Sequence, residues 1–334
     1  MVTRKGYDGI VAMKETWALP LIWFGSAAAA FVYARQYHIP LHLALAALPA
    51  FLLEASFYYT LGVERWRTRL ERLPPAAVAL ALTLSAAAPY CAASLAFGFF
   101  RWEALAAILG LAGVASFWYV LLPRQGAADL LFVVFMAAVF LANLERREYI
   151  DPYPKLTLDV LGKVMWIRTG AFAMLSVRRM KGVGFGFWPK RREWGIGLAY
   201  FVVFLPAAAL ASWAVGFGSP HLPLQGWDRI TLLALGTFFG VLWVLALGEE
   251  FFFRGLLQQW IGQWLKSEWM GLALASLLFG LAHLWFHAFP NWRMVAMAAV
   301  AGVFYGLAFR QARSIRASMV THALTVTAWK LFFS

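Results

Sequence analysis

Long apolar runs, each bounded by arginine, lysine, proline or tryptophan, recur along this chain from its first residues to its last. They fall near 17–34, 39–60, 75–100, 104–122, 127–144, 157–177, 194–217, 229–247, 269–289, 294–310 and 316–333. Most approach the roughly 20 residues that an α-helix needs to cross a bilayer, and a lipid-facing backbone must satisfy its own hydrogen bonds. The pattern therefore predicts an all-α fold, a polytopic transmembrane helix bundle with about 9–11 membrane segments. The weakest run is 157–177, where Asp159, Lys163 and Arg168 interrupt the apolar sequence; an amphipathic helix lying in the interface is the alternative there.

Composition agrees with this reading. Of 334 residues, 62% are hydrophobic and 13% charged, against roughly 45–50% and about 25% in soluble domains. The formal charge of +13 does not point to nucleic acid, because most basic residues sit in short connections between apolar runs. The bilayer is the partner they fit. Arg4, Lys5 and Lys14, the 61–74 connection, and the 178–192 stretch fall on one side in an alternating count. That side is expected to be cytoplasmic. The single cysteine, Cys91, excludes an intrachain disulfide and a cysteine-based metal site.

The stretch "RRMKGVGFGFWPKRREW" at 178–194 combines helix-breaking glycines and proline with dense positive charge, and marks the best internal boundary. Its G-x-G follows no strand and lacks a third glycine, so it is no dinucleotide fingerprint. The expected organisation is N-terminal transmembrane helices over 1–150, an interfacial or weakly apolar segment with a basic loop over 151–192, and a further helical domain over 193–334.

Charged side chains inside apolar segments cost about 2.5–3.5 kcal/mol each on insertion scales, so they face protein or water and are paired. Glu54 and Asp129 are isolated and read as structural or interfacial carboxylates. The last third of the chain gathers Glu249, Glu250, Arg254, His283, His287 and His322. On a helix Glu250 and Arg254 share a face, whereas Glu249 is rotated about 100° away. One glutamate can hold the arginine while the other points into a different space. A carboxylate with two imidazoles can activate water and stabilise an oxyanion.

"EEFFFR", "FGLAH" and "THALT", in that order, resemble the three motifs of the CPBP intramembrane endopeptidases, which include CAAX prenyl proteases and bacteriocin-processing relatives. The resemblance covers about 225–333, and the N-terminal extension is similar to the bacterial branch that accompanies exosortase systems. It implies a membrane-embedded protease in a bacterial inner membrane, acting on a membrane-associated or lipid-modified protein. Glu249 matches the catalytic glutamate, Glu250 and Arg254 its supporting pair, Phe279 and His283 the second motif, and His322 the third. The fourth place after His322 is Val326 where the family pattern has asparagine, so one oxyanion donor is missing; Thr325 beside it is expected to face elsewhere.

Two questions stay open in the sequence. A zinc ion on Glu249, His283 and His322, with His287 near, would suit a three-ligand site with an open position; a metal-free water mechanism with no cofactor is the reading the resemblance favours. A proton- or cation-coupled transporter uses the same residue types, and Val326 gives some weight to a catalytically silent scaffold or immunity protein. Depth raises a further point, since His283 lies well into its run while Glu249 ends another. A helix break at Gly248, with 249–264 helical in its own right, is expected to resolve it.

Overall fold

A computed structural model describes residues 4–218 and 226–333, with side chains described from Leu19 onward; those of Arg4, Lys5 and Lys14 lie outside the described residues. Among the described residues there is no strand, only an isolated bridge between Tyr153 and Leu156. Among the described residues seven helices are long and apolar enough to span a bilayer, and two shorter apolar ones, Gly126–Leu141 and Glu268–Leu281, accompany them. Large apolar side chains such as Phe24, Leu121 and Trp213 point outward, as lipid contact requires. The chain is a multi-pass α-helical membrane protein.

The fold divides into two compact units, residues up to Met180 and from Lys181 onward. The N-terminal unit holds α1 (Arg4–Gln36), α2 (Leu41–Gly62), α3 (Glu64–Leu70), α4 (Pro75–Ala96), α5 (Trp102–Leu121), α6 (Gly126–Leu141) and α7 (Asp159–Val177). Pro75 occupies the first turn of α4, where its missing N–H costs nothing. The segment suspected of lying in the interface, α7, is instead enclosed. Met165, Trp166 and Arg168 are buried, and α7 packs against α2, α4, α5 and α6.

The correction has a physical cause, because each charge that weakened the apolar pattern is neutralised. Asp159 pairs with Arg146 at 2.8 Å and Lys163 at 3.6 Å. Arg168 meets Glu54 through Nε–Oε1 at 2.7 Å and Nη2–Oε2 at 3.2 Å, and donates from Nη1 to the Ser85 hydroxyl. Asp129 is likewise held, by two bonds of 2.6 Å from Arg178 and one from the Tyr119 hydroxyl at 3.0 Å. A different carboxylate stands apart. Glu145, in the connection between α6 and α7, is 1% exposed, and neither of its side-chain oxygens has a hydrogen-bond partner among the described residues. Burial raises its pKa above the ordinary carboxylate range.

The C-terminal unit contains α8 (Arg191–Val215), α9 (Arg229–Trp264), α10 (Glu268–Leu281), α11 (Trp292–Ala312) and α12 (Ile315–Phe332). Gly216 closes α8 in the left-handed region at φ 61°. The side chains of Ser267, Asn291 and Ser314 cap α10, α11 and α12. Glu268 pairs with Arg310 and Arg313, and Arg316 with Glu193, so the starts of α8, α10 and α12 and the end of α11 share one end of this unit.

Two helix expectations change here. No break occurs at Gly248: α9 runs through it, with π-helical stretches at Val241–Leu245 and Phe251–Gln258 on either side of Ala246–Glu250. Extra residues per turn let one helix re-aim its side chains without ending, and such bulges are frequent at functional sites. The run at 269–289 stops at Leu281. Pro290 disfavours helix at the residue before it, and Asn291 folds the connection back: its amide N–H donates to the Leu284 carbonyl and its side chain to that of Phe286.

Candidate active site

Glu249 and Glu250 sit between the two π-helical stretches of α9, about 15 residues before its end at Trp264. His283 follows the start of α10 by about the same number of residues. At ~1.5 Å per residue both are about 22 Å from the turn that joins the two helices. This removes the depth conflict, since α9 continues well beyond Glu249. The ring of Phe253 on α9 contacts that of Phe279 on α10 at 5.0 Å, at the same level. Close packing of the hairpin depends on Gly271, where a Cβ would collide with the Gln258 carbonyl and the backbone of Gly262.

Glu250 and Arg254 are fully buried. Their ion pair spans Arg254 Nε to Glu250 Oε2 at 3.2 Å and Nη1 to Oε1 at 3.3 Å. The remaining Arg254 nitrogen, Nη2, donates to the Gly302 carbonyl at 2.9 Å, and Gln258, one turn on, donates to that of Gly306 at 3.1 Å. Glycine at both places of α11 lets these side chains reach the backbone, because a Cβ would crowd them. The guanidinium also faces the rings of Phe279, Tyr305 and Phe253 at 4.6, 5.3 and 5.8 Å.

Glu250 has a second partner that its spacing to Arg254 did not reveal. His322 Nδ1 lies 2.9 Å from Glu250 Oε1. A carboxylate paired to arginine only accepts, so Nδ1 carries the hydrogen and Nε2 is the nitrogen left to face the site. His322 Nε2 lies 3.8 Å from Glu249 Oε2. That oxygen has no hydrogen-bond partner among the described residues, although the Glu249 side chain is 28% exposed. A surplus, reachable carboxylate thus stands beside a fully neutralised pair.

The second histidine is oriented in a comparable way. His283 Nδ1 lies 2.8 Å from the Phe279 carbonyl, which leaves its Nε2 as the acceptor of the neutral ring. The phenyl ring of Phe279 touches both imidazoles, His283 at 4.8 Å and His322 at 5.8 Å between centroids. Phe279 therefore links the two histidines by packing and orients His283 by its carbonyl. His287 sits in the connection after α10 at φ 59°, its ring against Phe286. No three His, Cys, Asp or Glu among the described residues are placed to hold a metal ion, so the donors for a three-ligand zinc site are not gathered in this geometry.

Tyr305 is the contact that the sequence reading missed. It is 2% exposed and stacks on His322 at 4.6 Å with 14° between planes. Both lie about seven residues from the short turn joining α11 and α12. A tyrosine in the apolar run at 294–310 carries no charge to draw notice, and only the hairpin pairing reveals its neighbour.

A polytopic helical membrane protein with a buried, paired glutamate, a neighbouring glutamate 3.8 Å from one oriented histidine, and a second oriented histidine packed on the same phenylalanine is the class that fold and site define. Residues 231–328 match the family described as Type II CAAX prenyl endopeptidase Rce1-like, a similarity that covers this part of the chain. Comparison of the chain with curated proteins and with solved structures found no match.

Proposed function

We propose that the C-terminal unit is an intramembrane endopeptidase that hydrolyses a peptide bond with water activated by Glu249 and His283. The observation that carries this reading is the surplus carboxylate. Glu250 is ion-paired to Arg254 and bonded to His322, whereas the Glu249 side chain is 28% exposed and its Oε2, itself buried, has no hydrogen-bond partner among the described residues and lies 3.8 Å from an imidazole.

Water held between Glu249 and the His283 Nε2 lone pair would give its proton to Glu249 as the oxygen attacks the scissile carbonyl carbon. The carbonyl π-electrons move to oxygen, and His322 would donate to that oxyanion from Nε2. Collapse breaks the C–N bond while Glu249 returns the proton to the departing nitrogen, leaving a carboxyl and an amine terminus. Arg254, fixed to Glu250 and Gly302, holds α9 in place without drawing off the charge of Glu249. The substrate class that suits a site within apolar helices is a membrane-associated or lipid-modified protein.

A catalytically silent scaffold of the same fold has one observation in its favour, Val326, which offers no donor one turn beyond His322. Heavy-oxygen water separates the two readings. Membranes containing the wild-type chain should release new carboxyl termini, each carrying one labelled oxygen, and Glu249→Gln should lower their number by about 10²–10⁴-fold. Equal release from both chains would sink the protease reading.

A further inference from the structure

An oxyanion is stabilised best by more than one donor placed before the charge develops, and removal of one costs about 10²–10³ in rate. His322 supplies at most one hydrogen, from Nε2, because Nδ1 is committed to Glu250. Val326, on the next turn, supplies none. The ring of Tyr305 is stacked on this imidazole.

We propose that Tyr305 is a catalytic residue whose hydroxyl, positioned by Thr325, is the second hydrogen-bond donor to the oxyanion. The inference rests on the endopeptidase reading and deepens it. Tyr305 is held on the face of His322 by parallel stacking and on its other sides by Phe279 and the Arg254 guanidinium. Its hydroxyl lies within electrostatic reach of Thr325, Glu250, Arg254 and Glu249. Thr325 was expected to face away from the site, yet it serves it indirectly. Its own hydroxyl donates to the Thr321 carbonyl at 2.9 Å, which leaves its oxygen as an acceptor able to position the phenol. A hydroxyl hydrogen turns about its C–O bond, so the phenol can swing its hydrogen from Thr325 to a developing oxyanion without moving its ring. Asparagine at 326 would offer a donor from the same helix; here the donor comes from α11, through stacking.

The test is the initial rate at which membranes in heavy-oxygen water form those labelled carboxyl termini that Glu249→Gln abolishes, compared at matched amounts of folded protein. Tyr305→Phe keeps the stacked ring and removes only the hydroxyl; it should slow release by about 10²–10³-fold. Adding Val326→Asn to that variant should recover at least about tenfold, because a carboxamide replaces the missing donor. Wild-type speed in Tyr305→Phe would overturn the inference while leaving the endopeptidase reading intact. A loss that accompanies a lowered unfolding temperature and is not relieved by Val326→Asn would also overturn it, making Tyr305 a packing residue. Absence of Glu249-dependent termini from the wild type would defeat both readings together.

Discussion

Each unit of this protein buries a glutamate against an arginine, and the two pairs differ in what is left over. In the N-terminal unit Glu54 and Arg168 meet through both carboxylate oxygens, and Ser85 takes a further guanidinium nitrogen. In the C-terminal unit Glu250 and Arg254 pair just as deeply, but Glu250 also binds an imidazole, and the adjacent glutamate has a side-chain oxygen without a partner. A buried ion pair by itself says little about function, since pairing is how charge survives in a low-dielectric interior. What separates the site from the strut is an unpaired carboxylate adjacent to the pair and next to its imidazole.

The comparison can be broken at several strengths. Glu249→Gln, which removes the surplus charge, carries the largest expected effect, the loss of about 10²–10⁴-fold in labelled termini. Next come the arginines. Arg168→Met and Arg254→Met each strand a buried carboxylate and should cost about 3–5 kcal/mol of stability, read as a lower denaturant midpoint. They should part in activity: per folded molecule, Arg168→Met keeps the wild-type rate, and Arg254→Met loses it, because Glu250 then no longer fixes both α9 and His322. Equal activity in the two would erase the distinction.

The smallest effect concerns Glu145, whose side-chain oxygens have no hydrogen-bond partner among the described residues. Its folded-state pKa is raised by burial, so the folded chain binds this proton more tightly than the unfolded chain. The associated stability is complete below the unfolded value, near the ordinary 4.5, and is lost as pH rises through the folded value. Glu145→Gln should therefore raise the unfolding temperature slightly at about pH 8, with the advantage gone by about pH 4. A gain that is largest in acid would contradict this sign.

Much of the architecture could be read from apolar run length, because a lipid-facing helix has few other ways to satisfy its backbone. The candidate site was legible because charge within those runs is costly and therefore conspicuous: Glu249, Glu250, Arg254, His283 and His322 all stood out. Partners across the fold did not. Glu54 and Arg168 are 114 residues apart, and no local spacing joins them, so the charges in α7 looked like signs of an interfacial helix. The π-helical stretches of α9 were equally hidden, since they change how side chains are aimed without any proline or exposed break. Tyr305 escaped because stacking on an imidazole leaves no mark in the sequence of either helix.

The most direct measurement replaces one carboxylate by its amide in each unit, Glu249→Gln and Glu54→Gln, and records labelled-terminus release and unfolding temperature for both. The account predicts that Glu249→Gln abolishes release at an unchanged unfolding temperature, and that Glu54→Gln lowers the unfolding temperature while release per folded molecule stays at the wild-type rate. Full activity in Glu249→Gln would contradict it.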